Sequence, residues 1–149
     1  MVFATPEFKE LLSIFNDHEV KYMIVGGFAV MKYSEPRFTK DLDIWVEASS
    51  ANASRIYNAL REFGAPLEGL TEHDFVESGF YQMGRPPARI DVMMSLDGVE
   101  FEAAWENRTE SEFRGIPVHF ISKKDLIRNK ELSGRYQDLA DIENMKIRE

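Results

Sequence analysis

Cysteine is missing from the chain altogether, which removes disulfides, thiolate zinc centres and cysteine nucleophiles from consideration. Histidine is scarce: the three present, His18, His73 and His119, are too scattered to form a pair at metal-ligand spacing or to suggest a Ser–His–Asp order, so they read as surface or turn residues. Long apolar runs are lacking too. None approaches the roughly 20 residues that span a bilayer, and the N-terminal Met-Val-Phe-Ala-Thr-Pro-Glu has no basic-then-apolar signal pattern. The expectation is a cytoplasmic protein with no membrane partner. Positive charge is short as well, with a formal net charge of -8, which argues against a general nucleic-acid binder. The shortage is uneven: nine basic residues face eighteen acidic ones over 1–107, against nine and eight over 108–149. Any polyanion site is therefore expected to draw on the C-terminal third.

What is present suits one globular domain over residues 1–149, since a chain of 149 residues with 44% hydrophobic composition can bury a real core. Thr5 to Asp17 carries Phe8, Leu11, Leu12 and Phe15 at helical spacing behind Thr5 and Pro6, an amphipathic opening helix. Val20 to Val25 reads as a strand, Phe28 to Tyr33 as a helix ended by Pro36, and Thr39 to Glu47 as a second strand. Ser49-Ser50 starts a helix from about Ala51 to Phe63, stopped by Gly64. Residues 65–74 read as loop, Phe75 to Met83 and Ala88 to Met94 as a hairpin around Gly84-Arg85-Pro86-Pro87. A short helix over Val99 to Trp105, a strand over Ile116 to Ile121, a helix capped by Ser122 from Lys123 to about Leu132, and a last helix to about Lys146 complete the reading. The class is α+β, or α/β, with one mixed sheet.

The chemistry concentrates in Asp41-Leu42-Asp43, which interrupts an otherwise apolar strand. Side chains two apart on a strand point the same way, so both carboxylates are expected on one face while Leu42, Ile44 and Val46 face the core. Two like charges side by side need a cation or solvent to neutralise them. An exposed strand edge, a hydrolase with an aspartate nucleophile and a divalent-metal site all remain open. Hydrolases of that kind place a small residue after the acidic pair, near the N-terminus, whereas Ile44-Trp45 follows here and a helix and strand precede. A third carboxylate, Asp91, lies in the apolar run Ile90 to Met94, where burial demands a partner. That partner is either Arg89 or Arg85 in a structural ion pair, or a shared magnesium ion, which prefers carboxylate oxygens and keeps positions open for phosphates.

Gly26-Gly27, at a strand-to-helix junction, is either a plain tight turn or a place where phosphate approaches the backbone and the helix N-terminus. Phosphoryl chemistry calls for cations near the phosphates; Arg37, Lys40, Lys123, Lys124, Lys130 and Arg135 are candidates, each alone more simply a solvated surface charge, with Arg37 and Lys130 preferred. Phe75, Phe80, Tyr81, Trp45 and Trp105 read as core rather than as a base-stacking surface.

The set Gly26-Gly27, Arg37-x-Thr39-x-Asp41-x-Asp43 and Asp91 resembles the DNA polymerase β-like nucleotidyltransferase superfamily, most of all the small members related to AbiEii-type toxins. Asp125-Leu126-Ile127-Arg128-Asn129-Lys130 and Gly134-Arg135-Tyr136-Gln137-Asp138-Leu139-x-Asp141-Ile142 are similar to the C-terminal helices of those proteins, so the resemblance spans about residues 20–145. It implies two magnesium ions, or manganese in their stead, held by Asp41, Asp43 and Asp91, with Asp91 also the general base. It implies Gly26, Gly27, Arg37 and Thr39 at the nucleotide and Lys130 on its phosphates. Many superfamily members carry serine where Gly27 stands. The implied activity transfers a nucleoside monophosphate from an NTP, ATP among the candidates, to a hydroxyl of a tRNA end, a protein or a small molecule, releasing pyrophosphate. A toxin–antitoxin role, a homodimer or a cognate partner protein go with it. The alternative is a catalytically silent antitoxin or regulatory partner built on the same fold.

Overall fold

The computed structural model describes residues 5–34, 41–77, 79–85 and 88–147. Pro36 and the turn prolines Pro86 and Pro87 lie outside the described residues. The chain runs α1 (Thr5–Asp17), β1 (Tyr22–Val25), α2 (Gly26–Tyr33), β2 (Leu42–Val46), α3 (Ser50–Phe63), a 3-10 turn (Glu72–Phe75), β3 (Phe80–Arg85), β4 (Ala88–Met93), α4 (Phe101–Glu106), β5 (Thr109–Phe113), β6 (Ile116–Phe120), α5 (Lys123–Ser133) and α6 (Tyr136–Ile147). The strands form one mixed sheet in the order β3-β4-β2-β1-β6-β5. β2 lies at the centre, antiparallel to β1 and parallel to β4.

Side-chain alternation sorts β2 into two faces. Ile44 pairs with Ile24 of β1 and Val92 of β4, and this even face meets α1, where Phe15 lies edge-on to Tyr22 at 5.8 Å and Asn16 accepts from the Tyr22 hydroxyl at 2.9 Å. Asp43 and Trp45 lie on the opposite, odd face, in register with Asp91 and Met93. Phe101 of α4 packs edge-on against Trp45 with ring centroids 5.0 Å apart. Leu42, Ile44, Trp45 and Val46 are all buried. The strand is therefore covered on both faces, as expected for a central strand with a parallel neighbour.

Helix ends follow the local chemistry. The Ser49 side chain accepts from the Asn52 N–H and Gly64 closes α3 in the left-handed region, while Ser122 accepts from the Asp125 N–H at the start of α5. Several boundaries differ from the sequence expectation. α2 begins at Gly26 rather than Phe28, so both glycines sit in its first turn. Phe75 ends a 3-10 turn and is buried, and the strand expected from it starts at Phe80. Phe80, expected in the core, is 65% exposed because it stands on an edge strand, and Tyr81 and Trp105 are only partly buried. β5, Thr-Glu-Ser-Glu-Phe, was not expected at all; it is the other edge, antiparallel to β6. His119, expected at a surface or turn, lies within β6, 5.2 Å from the Tyr22 ring and 5.0 Å from the Trp105 ring.

One fully buried polar side chain ties the sheet to α3. Asn52 accepts from the Lys21 N–H at 2.8 Å and donates to the carbonyls of Lys21 at 3.1 Å and Glu47 at 2.9 Å. It clamps the entrance of β1 to the exit of β2, the strand that carries the acidic residues. Replacing Asn52 by alanine takes away the partner of the Lys21 N–H and of the Glu47 carbonyl, the Lys21 carbonyl still accepting from the Glu47 N–H at 3.2 Å; each lost bond costs about 1–3 kcal/mol, partly relieved by entering water. Urea unfolding of Asn52→Ala is expected to give a loss of about 2–4 kcal/mol with unchanged far-ultraviolet circular dichroism.

Candidate active site

Parallel pairing sets Asp43 of β2 directly beside Asp91 of β4 on the odd face of the sheet. The sequence leads one to expect Asp41, Asp43 and Asp91 together; the strand pairing sets Asp43 and Asp91 side by side. Burial is the main cause that pushes the Asp43 carboxyl up to about 7, aided by the Asp91 charge, by a hydrogen bond to Asp91 that only protonated Asp43 can donate, and by Asp41; Lys130 opposes the shift. The Asp91 Oδ1 atom is buried without a hydrogen-bond partner among the described residues. A shared proton or a cation are the two ways such a pair can be neutralised.

Asp41 stands just before β2 and takes a different path. It accepts from the Arg89 backbone N–H at 3.1 Å and from the Arg89 guanidinium at 3.1 Å, pinning the start of β2 to β4. Arg89 thus answers Asp41, not Asp91 as the structural reading of the sequence had it. Among the described residues no group of three or more acidic or histidine side chains is gathered to grip one metal ion. The acidic trio is arranged as a facing pair plus a third member engaged by an arginine. The pair fits a divalent cation by its chemistry: two oxygen donors, one of them orphaned, in a place where negative charge is costly.

Gly26 presses against this pair. It has φ +67°, and a Cβ built there would fall 2.1 Å from Asp43 Oδ2, so only glycine admits the carboxylate at this point. Val25 pairs directly with Asp43, which is why the turn into α2 arrives over it. Gly27 follows, buried in the first turn of α2.

Lys130, expected at the nucleotide phosphates, is buried in α5 and donates to Asp138 at 3.0 Å while pairing with Asp141 at 3.1 Å. Its charge still reaches Asp43. Burial disfavours the Asp138 charge, but Arg135 and Lys130 more than offset this and hold the carboxyl below its ordinary value. Asp138 and Asp141 were not singled out as site residues from the sequence. The signal was available: three apart on a helix they share a face, and with Ile142 and Met145 they make the buried stripe of α6. Arg37, Thr39 and Lys40 lie outside the described residues.

A central mixed sheet whose neighbouring strands present paired carboxylates beside a glycine turn defines a nucleotidyltransferase-type fold, and comparison with solved structures agrees. A lincosamide antibiotic adenylyltransferase with lincomycin bound matches with a TM-score of 0.55 at 17% identity, over 98% of each chain. An antigenic nucleotidyltransferase-like protein from Paracoccidioides brasiliensis matches with a TM-score of 0.56 at 21% identity, over 97% of this chain and 78% of that one. A Thermotoga maritima protein classed with the nucleotidyltransferases gives 0.58 at 14% identity, over 99% and 98%. No curated protein sequence matches. The model of the family described as "Nucleotidyltransferase of unknown function (DUF6036)" matches residues 4–149, and the chain belongs to that family. It is a nucleotidyltransferase.

The raised Asp43 carboxyl makes a signed prediction. Folding takes up a proton between about pH 4 and pH 7, so this group's contribution to stability is present at low pH and lost as pH rises through about 7. Asp43→Asn removes the titration. At pH 8 without divalent cations the variant is expected to melt above the parent, and the advantage should shrink toward pH 4. Added magnesium should raise the parent's Tm and leave the variant's unchanged. Gly26→Ala meets both a positive φ and the carboxylate, so it is expected to cost at least about 1 kcal/mol and to abolish the magnesium-dependent rise in Tm.

Proposed function

We propose that the chain transfers a nucleoside monophosphate from an NTP to a hydroxyl acceptor. The observation that carries this reading is the facing pair Asp43 and Asp91, with the Gly26 backbone laid against it. Asp43 and Asp91 would hold a divalent cation, magnesium by the all-oxygen donor set or manganese in its place, with Asp41 available on leaving Arg89. Such an ion, when bound, neutralises developing phosphate charge. The residues do the rest. The first turn of α2, opened by Gly26 and Gly27, offers backbone N–H groups to the phosphates. Asp91 takes the acceptor's proton as its oxygen bonds the α-phosphorus and the bond to pyrophosphate breaks. Lys130, and Arg37 and Thr39 in the neighbouring segment, would face the leaving pyrophosphate, Lys130 after exchanging its carboxylate partners for phosphate. A neighbour that adenylylates a lincosamide antibiotic supports ATP as donor and a small alcohol as acceptor over a tRNA end or a protein.

A second reading, a silent partner in a toxin–antitoxin pair, is favoured by the engagement of Asp41 with Arg89 and of Lys130 with Asp138 and Asp141. The two readings separate on one experiment. Calorimetry with each NTP and magnesium is expected to show binding in the parent and its loss in folded Asp43→Ala and Asp91→Ala variants. Labelled NTP in cell extract should then mark a product. Binding that survives both substitutions, or no label from any of the four NTPs, would reject transfer.

A further inference from the structure

Helix α2 is fixed to the β5–β6 edge of the sheet at two places. Near its start Phe28 meets Phe113 edge-on, with ring centroids 5.2 Å apart. At its last residue the Tyr33 hydroxyl donates to the Ile121 carbonyl at 2.6 Å and lies 2.9 Å from the Thr109 hydroxyl. Between these anchors a groove of about 320 Å³ stays open. The strand explains the gap: Thr109, Ser111 and Phe113 share one face of β5 by alternation, and the middle position carries a small side chain. Three features describe what the groove would hold. Its walls are apolar, with Phe28 and Met31 partly exposed on the helix side and Phe113 and Phe120 beneath them. Its mouth is cationic. Lys32, 5.5 Å from the Phe120 ring, and Arg114 are both exposed and have no ion pair among the described residues, although acidic residues exceed basic ones by eight in this chain. The third feature is the Ser111 hydroxyl, half-buried in the groove and without a hydrogen-bond partner among the described residues.

An apolar slot with two uncommitted cations and a free hydroxyl donor matches a ligand that has an apolar body and a compact negative head. We propose that this groove binds a small amphipathic carboxylate. The carboxylate would take charge-assisted bonds from Lys32 and Arg114 and a hydrogen bond from Ser111. The apolar part would lie against Phe28 and Met31, and Glu112, at the same mouth, would oppose binding by its charge. The volume stands near the lower bound of ligand cavities, about 300 Å³, and suits a short chain or a single ring. The groove is separate from the carboxylate pair: Gly26 opens α2 against Asp43, whereas Lys32 stands in the last turn, about 9 Å further along the helix axis.

The test uses the full chain. Anilinonaphthalene sulfonate, an apolar anion, is expected to bind saturably with a rise in fluorescence, and octanoate to displace it and to raise Tm. Octanol and octylamine, which share the chain without the negative charge, should do neither. Octanoate affinity should fall with salt, fall by about tenfold or more in Lys32→Gln/Arg114→Asn, and rise in Glu112→Gln. Asparagine suits the positive φ of +51° at residue 114, so the double variant keeps its turn. Ser111→Leu fills the groove and should abolish octanoate binding with Tm unchanged or higher. Asp43→Asn should bind octanoate as the parent does. Equal displacement by octanol or octylamine, or undiminished octanoate binding in Ser111→Leu or in the double variant, would overturn the site. Loss of octanoate binding in Asp43→Asn would overturn its separation from the carboxylate pair. A parent that sediments as a dimer and comes apart on Ser111→Leu would overturn the ligand in favour of a second copy of the chain.

Discussion

Two carboxylates forced together in the middle of a sheet are the constraint around which this molecule is arranged. Asp43 and Asp91 are neighbours because β2 and β4 run parallel with those residues in register, and register in a doubly covered strand is not negotiable. A slip of one residue would turn Ile44 and Val92 out of the apolar layer and bury the aspartates there instead. The hydrophobic core therefore fixes the separation of the two acidic groups, and the unfavourable electrostatics of the pair are stabilised by apolar burial elsewhere. This is the usual relation of a strained site to its scaffold.

The surroundings are organised to tolerate the pair rather than to cancel it. Gly26 gives the Asp43 carboxylate room on one side. Lys130 contributes positive potential but directs its own hydrogen bonds to Asp138 and Asp141 in α6, so it acts on Asp43 through space. Arg89 occupies Asp41. Each of these cations has a carboxylate of its own, which leaves Asp43 held by its proton well above the ordinary range of an aspartate.

The parts of this arrangement that were legible in the sequence are those decided locally. The run Leu42 to Val46, the cap Ser49 with the stop Gly64, and the cap Ser122 depend on residues a few positions apart and stand where periodicity and capping put them; the hairpin of β3 and β4 forms as expected, but its first strand is Phe80–Arg85 rather than 75–83, so that Gly84 and Arg85 pair within it. The three aspartates could be nominated because carboxylates in apolar runs are costly wherever they occur. What escaped was non-local. β5 carries Glu110 and Glu112 on a sheet edge and has little apolar content to betray it. The choice of Arg89 for Asp41 over Asp91 is a matter of cross-strand geometry between chain segments 48 residues apart. The embedding of Lys130 required α5 and α6 to pack, which no single-helix pattern discloses, and Phe75, whose aromatic ring favours a strand on local preference, is held in its 3-10 turn by non-local ring contacts with Tyr57 and Tyr81.

Among the described residues the acidic groups of the site outnumber the cations that answer them. Asp41, Asp43, Asp91, Asp138 and Asp141 are linked with Lys130, Arg89 and Arg135 through ion pairs or mutual fields. Among the described residues, five carboxylates, fully ionised, meet three cations, a deficit of two positive charges. A proton on Asp43 removes one unit of that deficit and a divalent cation removes both. The second solution displaces the proton, frees Asp43 as an oxygen donor, and relieves the unsatisfied Asp91 Oδ1 at the same time. On the cation-holding role proposed for this pair, proton and metal would compete for one position, and the same imbalance that destabilises the ligand-free fold at neutral pH would give a divalent cation its affinity.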